Sequence, residues 1–267
     1  MKTQEKTGIR AVFLDMDNTV FSHRTNSIPV SAEKAIAALR EKGILVFIAT
    51  GRHVQELKWM NLYGFPADGW ITVNGAYCYN DKGSYYNEPV SREDLAVLYD
   101  NLKRDPFPCM FMDEQTIFIN MDDERVRRSQ EEIHTPMPEI ADPERILHSD
   151  IFMLVPYAEE SIWHPVQQRM KHISATRWTD LAVDVYSDQC GKDRGVEETC
   201  RHYGLKKEET LAVGDGPNDA VLLEACGYKA AMGNAVKELK ELADYVSTDI
   251  DEEGLRNVFV HYGLLEE

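Results

Sequence analysis

Short apolar runs that stop abruptly at a polar group, separated by segments of helical period, constrain this chain more than any other feature. The first is Val12-Phe13-Leu14, cut off at Asp15. A run that is apolar at every position suits a strand covered on both faces, as in a parallel sheet. A helical pattern follows over about 32–42. Ala35, Ile36, Leu39 and Arg40 keep its spacing, Ser31 is the expected cap and Gly43 the expected stop. The second run, 44–49, ends at Thr50. A helix over 54–63, stopped by Gly64, leads to a third run, 70–73, which ends at Asn74-Gly75. Strand alternating with helix over some eighty residues indicates an open α/β sheet.

The middle reads differently. Strand-like runs at 116–119, 151–155, 175–178 and 181–186 mix with polar helical stretches at 124–132 and 159–171. Pro156 is expected to stop the second of these strands. Pro165 should break its helix or sit in the first turn. The run 181–186 alternates, as a strand with one covered face does. The regular order then returns. A helix over 191–203 stops at Gly204, a strand over 211–213 ends at Gly214-Asp215, and a helix over 220–225 stops at Gly227. Strand 229–232, helix 236–243 and strand 245–246 follow. We therefore expect an α/β core from 1–83 and 188–267, sharing one sheet, and an inserted α+β domain over 84–187. A chain of 267 residues has room for both, with a core that needs no disulfide or metal staple.

Charge narrows the partners. Lys plus Arg number 29 against 46 Asp plus Glu, a net charge of −17. Such a field repels phosphate backbones, which argues against nucleic-acid binding but not against a small phosphate ester in a locally positive pocket. The five cysteines, Cys78, Cys109, Cys190, Cys200 and Cys226, are odd in number and widely spaced. They read as reduced thiols of a cytoplasmic protein. The opening MKTQEKTGIR lacks the apolar stretch of a signal peptide, and no window approaches 18 apolar residues, so no membrane partner is expected.

In open α/β sheets, ligands lie beyond the carboxyl ends of the strands. Three strands here end in conspicuous groups: Asp15-Met16-Asp17-Asn18-Thr19, Thr50-Gly51-Arg52 and Gly214-Asp215-Gly216-Pro217-Asn218-Asp219. Lys192 follows a further apolar segment and opens a helix. Singly, each is explained as a turn, a helix start or a solvated side chain. Together, they gather several carboxylates at one sheet edge, where mutual repulsion is costly. A hard divalent cation removes that cost, and magnesium favours a few carboxylate oxygens with water and phosphate. The chemistry so assembled is phosphoryl transfer. Magnesium and Lys192 would supply positive charge, and the Thr50 hydroxyl and loop N–H groups would hold phosphate oxygens. One carboxylate can be the nucleophile. A second, two residues on, can protonate the leaving oxygen and then activate water.

At this point the motifs resemble a known family. Asp15-Met16-Asp17-Asn18-Thr19 resembles the first motif of the haloacid dehalogenase (HAD) superfamily, Asp-x-Asp-Gly-Thr in most of its phosphatases. Thr50 fits the second motif, Lys192 the third and residues 214–219 the fourth. The insertion between the second and third motifs looks like the α/β cap termed C2B. Ala49-Thr50-Gly51-Arg52, Asn74-Gly75-Ala76 and the closing Gly-Asp-Gly-Pro-Asn-Asp resemble the Cof-type sugar phosphatases of subclass IIB. The resemblance implies a Rossmann-like core with a mainly parallel sheet, an inserted C2B-type cap, and a magnesium-dependent phosphoric monoester hydrolase acting through an aspartyl-phosphate. Asp15 would be nucleophile and metal ligand. Asp17 would be acid/base, with its carbonyl on the metal. Asp215 would complete the metal ligands, with Asp219 supporting them from behind. Thr50, Gly51, Arg52, Lys192 and Asn218 would hold the phosphoryl group or the substrate.

Asn18 departs from the usual glycine, although Asn tolerates a left-handed backbone better than most residues. The substrate would be a small phosphorylated metabolite such as a hexose or pentose phosphate, and the protein a monomer or small homo-oligomer. A phosphomutase using the same aspartyl nucleophile, and a phosphate-accepting switch module, remain as alternatives. Other polar residues receive plainer readings. His23 and Arg24 read as exposed loop, Asn74 as a turn residue, and Arg177 and Trp178 as cap-strand residues with Trp178 in the core. Asp251-Glu252-Glu253 reads as a solvated helix start.

Overall fold

The computed structural model describes residues 8–132, 135–177, 180 and 182–266. The expectations for Trp178, Thr179 and Leu181, and for the first seven residues, lie outside that range. In chain order the elements are β1 (Ala11–Asp15), α1 (Val30–Glu41), β2 (Leu45–Ala49), α2 (Val54–Trp59), β3 (Gly69–Thr72), β4 (Tyr77–Asn80) and β5 (Gly83–Asn87). The middle holds α3 (Arg92–Arg104), β6 (Cys109–Met112), β7 (Ile117–Ile119), α4 (Glu124–Glu132), β8 (Glu139–Ile140), β9 (Met153–Pro156), α5 (Glu160–Gln167), β10 (Ile173–Arg177) and β11 (Val183–Ser187). The end holds α6 (Lys192–Tyr203), β12 (Thr210–Gly214), α7 (Ala220–Ala225), β13 (Tyr228–Ala231), α8 (Lys237–Leu242), β14 (Tyr245–Val246) and α9 (Gly254–His261). Two compact units emerge. One is Met1–Gly51, Pro66–Tyr86 and Gly191–Glu267; the other is Arg52–Phe65 and Asn87–Cys190. The segment 52–65, expected with the first unit, clusters with the second.

The first unit is built on an eight-stranded sheet in the order β14-β13-β12-β1-β2-β3-β4-β5. The strands from β14 to β3 pair in parallel, and β4 turns back antiparallel to β3. β1 lies near the middle and is buried at all five positions, which is why its sequence is apolar without alternation. Phe13 stacks on Phe47 at 4.9 Å, within a core that also takes in Ile71, Val196, Leu222 and Leu239. Each such side chain contributes about 1.5–3 kcal/mol by leaving water.

Two helix boundaries differ from expectation. α1 starts at Val30 behind Pro29, so Ser31 sits inside the helix and makes no cap. Proline's fixed φ suits a residue entering a helix. α2 ends at Trp59, well before Gly64, and Asn61 takes a left-handed backbone (φ 58°) that breaks the helical path. In the second unit, Pro156 is the last residue of β9, paired with Cys109, rather than a stop after it.

A left-handed turn joins β3 to β4. Val73, Asn74 and Gly75 have φ of 52°, 52° and 88°. For a β-branched residue such as Val73 this is a strained conformation. It is held by Asn74 N–H donating to the Thr50 carbonyl (3.2 Å) and Ala76 N–H donating to that of Val73 (3.1 Å). A Cβ on Gly75 would lie 2.0 Å from the Gly191 carbonyl oxygen, and one on Gly195 would lie 2.3 Å from Ile71 Cγ2. Gly75 against the Gly191 backbone and Gly195 against the Ile71 side chain set the start of α6 close to the sheet, and Lys192 with it.

The second unit carries a six-stranded sheet, β10-β11-β9-β6-β7-β8. Cys109 and Phe111 of β6 join the core formed with Leu95, Leu98 and Leu102 of α3 and Trp163 and Val166 of α5. Met110, one residue out of phase, meets Gln130 of α4 instead. His53 caps α2 in this unit. Its Nδ1 accepts from Gln55 N–H (3.2 Å) and its Nε2 donates to the Asp113 carbonyl (2.7 Å). Burial pulls its pKa down to about 4. The neutral ring is thus favoured on folding, so its stabilisation is present above pH 6.5 and is lost as pH falls towards 4. The protein should lose about 2 kcal/mol from this group between pH 7.5 and 5. Denaturant unfolding at the two pH values measures this, and His53→Asn, which can still cap, should flatten the difference.

Candidate active site

Every residue of the predicted constellation except Arg52 falls in the first unit. β1 ends on Asp15, which pairs with Ala49 of β2, so Thr50 follows at the same edge. On the other side Leu14 pairs with Val213, which brings Gly214 and Asp215 to that edge too. The parallel sheet therefore collects three strand ends without any help from distant loops.

The side chains complete the site. Lys192 is buried and donates from Nζ to Asp15 Oδ1 and Asp219 Oδ1, each at 2.7 Å. Asp219 spends its other oxygen on the loop, accepting from Asp215 N–H (3.0 Å) and Gly216 N–H (2.9 Å). Thr19 Oγ1 donates to Asp215 Oδ1 at 3.3 Å. Thr50 is fully buried, its N–H bonded to the Ile71 carbonyl (2.8 Å). Gly51 leaves little room: a Cβ there would lie 3.0 Å from Asn74 Oδ1. Asn218 is exposed, on the turn Pro217–Asp219 that follows β12. Asn18 does adopt the left-handed backbone (φ 56°), so the usual glycine's role is met by an asparagine.

The electrostatics are those of an excess of negative charge. Burial, then Asp219, raises the pKa of Asp15 well above the ordinary carboxylate range, and Lys192 only partly offsets this. Burial alone would lower the Lys192 pKa, but Asp15 and Asp219 outweigh it and hold it above the usual lysine value. Asp215 is pushed up to about 6, by burial first and Asp219 second. Carboxylate oxygens of Asp15, Asp215 and Asp219 all lie within 4.8 Å of one another. One ammonium does not balance this group, and an all-oxygen donor set suits a hard divalent cation. Because the folded pKa of Asp215 is raised, its contribution to stability is present below the unfolded value of 3.8 and lost as pH rises through about 6. A cation bound there relieves that loss. Magnesium should therefore raise the unfolding midpoint more at pH 7.5 than at pH 5, as a thermal-shift series with and without magnesium would show.

Several contacts escaped the sequence reading. Asn234, just past the end of β13, donates from Nδ2 to the Asn18 carbonyl (2.9 Å) and accepts from Ile250 N–H (3.0 Å). The strand-end rule that found Asp15 applied to Asn234 as well. His23 and Arg24 are exposed loop residues, as expected, and both are bonded: His23 Nε2 lies 2.7 Å from Asp17 Oδ1, and Arg24 Nε donates to Asp251 Oδ2 at 2.6 Å. Asp251 also accepts from Ser22 Oγ (3.1 Å), so it anchors a loop rather than opening a solvated helix; α9 begins at Gly254. In the second unit, Arg177 is tied to the Asp180 carbonyl (3.0 Å) and Glu160 (2.8 Å). The five cysteines are free thiols, and among the described residues no helix is long and apolar enough to cross a membrane.

Comparison with known proteins gives the family of the chain. The model of the haloacid dehalogenase-like hydrolases matches residues 12–259. YkrA of Bacillus subtilis is 30% identical over 260 residues, covering 96% of this chain and 99% of its own. The HMP-PP phosphatase of Serratia proteamaculans is 28% identical over 249 residues, 87% of either chain. Among solved structures, the HAD subclass IIB sugar phosphatase BT4131 superposes with a TM-score of 0.80 at 31% identity, over 96% of this chain and 100% of that one.

Proposed function

The chain belongs to the haloacid dehalogenase-like hydrolases and is a phosphoric monoester hydrolase, and from that premise we propose a magnesium-dependent sugar-phosphate phosphatase working through phospho-Asp15. One observation carries the mechanism: the buried Asp15 carboxylate at the end of β1, hydrogen-bonded at 2.7 Å to an equally buried Lys192. Burial strips the nucleophile of water, and the ammonium holds it in one orientation. Lys192 then offers its charge to the phosphoryl oxygens during transfer. The Thr50 hydroxyl binds the same group, and Asn218 and Gly51 flank it. Asp17 gives a proton to the leaving oxygen and later takes one from the attacking water. Asp15, Asp215 and the Asp17 carbonyl would hold magnesium, which when bound supplies positive charge to the phosphoryl oxygens. Asp219 supports Lys192 and the loop instead, since both its oxygens already accept hydrogen bonds.

The second unit is our candidate for the substrate-recognising cap, with Asn87–Cys190 as its inserted portion where the sequence suggested 84–187, and Arg52 as a residue it shares with the second motif. A sugar phosphate is the proposed substrate class, supported by the 31% identity to a subclass IIB sugar phosphatase. A phosphate-release panel of sugar phosphates, nucleotides and cofactor phosphates, run with and without magnesium, tests this. Metal-dependent release ranked highest for sugar phosphates is expected. An isomerised sugar phosphate without free phosphate would mark a mutase. A stable phosphoprotein without turnover would mark a switch.

A further inference from the structure

We infer that His23 is a positioning residue for the Asp17 carboxyl, and that Asn18 helps to deliver it. The inference rests on the proposed acid/base role of Asp17. His23 Nε2 lies 2.7 Å from Asp17 Oδ1, although the two side chains are 43% and 30% exposed. At that exposure the contact adds little to stability. Its consequence is geometric: an imidazole N–H on Oδ1 fixes the plane of the carboxyl and leaves the transferable proton on Oδ2. As the P–O bond breaks, its electron pair goes to the leaving oxygen, which takes that proton.

The loop is built to keep His23 in place. Val20 N–H and Phe21 N–H both donate to the Met16 carbonyl (3.0 and 2.8 Å), and Asn18 N–H donates to that of Phe21 (2.7 Å). A glycine at position 18 would permit the turn, but it would lack Oδ1, which here accepts from His23 N–H at 3.4 Å. The Phe21 ring meets the imidazole edge-on, with centroids 5.5 Å apart. On either side of His23, Ser22 and Arg24 are fixed to the same carboxylate, Asp251.

The test is the leaving-group dependence of kcat/KM, which reports the first phosphoryl transfer. p-Nitrophenolate departs without an acid, whereas a sugar alkoxide needs one. His23→Ala should lower kcat/KM about 10- to 100-fold on a sugar phosphate but less than about 3-fold on p-nitrophenyl phosphate. His23→Gln, whose amide N–H can reach the same oxygen, should recover most of the loss. Asp17→Asn, measured alongside, should discriminate in the same sense and more strongly. If Asp17→Asn discriminates while His23→Ala affects both esters alike or neither, the inference is overturned and the acid/base reading stands. If Asp17→Asn itself does not discriminate, that reading fails and the inference with it.

Discussion

Asp15→Asn is expected to lower phosphate release by on the order of 10⁴-fold or more, while leaving the metal-free protein at least as stable as the parent. The first half follows from chemistry. In the proposed mechanism Asp15 makes the in-line attack, and the amide oxygen of Asn is a far poorer nucleophile than a carboxylate. The second half follows from electrostatics. Asp15, Asp215 and Asp219 crowd within 4.8 Å with one ammonium between them. Burial and Asp219 already push the Asp15 pKa well up, which means that ionising it works against the metal-free fold. A neutral amide of the same shape keeps an acceptor for Lys192 and removes one of the repelling charges. Steady-state phosphate release and thermal unfolding in EDTA, on the same preparation, check both halves. Retained turnover would remove Asp15 from the nucleophile's role. A variant that unfolds early would instead show that the carboxylate is a structural partner of Lys192.

What the sequence made legible follows from how local each feature is. Asp15, Thr50 and Asp215 could be placed at one sheet edge because a parallel sheet gathers its strand ends, and strand ends can be read from where an apolar run stops. The helices 124–132 and 220–225 and the strand 245–246 match α4, α7 and β14 for the same reason. Features set by distant contacts were not readable. Asn61 is itself a residue that can stop a helix, but Gly64 three positions on gives a second stop signal, and the sequence does not say which of the two ends α2. Nothing in Asp251-Glu252-Glu253 shows that Asp251 receives Ser22 and Arg24 from more than two hundred residues away. α3 is a different case. Ser91 caps it, accepting from Asp94 N–H, and Leu95, Leu98 and Leu102 line its buried face, so both its start and its period were available. It lies in a stretch whose other segments read as strand-like runs mixed with polar helices. Nothing in the sequence marks Gly75 or Gly195 as packed; only the structure shows that each sits where a Cβ would collide.

The second large effect is expected at Lys192, and there activity and stability should fall together. Lys192→Met keeps the length of the side chain but leaves two buried carboxylates without their shared donor. Removing one member of a buried ionic cluster costs on the order of 3–5 kcal/mol, and losing a charge aimed at the phosphoryl oxygens costs about 10²–10³-fold in kcat. The stability loss carries its own control. Both influences that lower the Asp15 pKa come from Lys192, its charge and its hydrogen bond. Without them the folded pKa of Asp15 rises further, so its contribution to stability is retained only at low pH and is lost as pH rises. The gap in unfolding free energy between parent and variant should therefore be widest at pH 7.5 and narrower at pH 5. Magnesium should also narrow it, by supplying the missing positive charge. Denaturant titrations of both proteins at the two pH values, with magnesium and with EDTA, give the four differences required. A gap unchanged by pH and by magnesium would mean that Lys192 serves only as packing at the start of α6, and the charge balance proposed for the site would have to be abandoned.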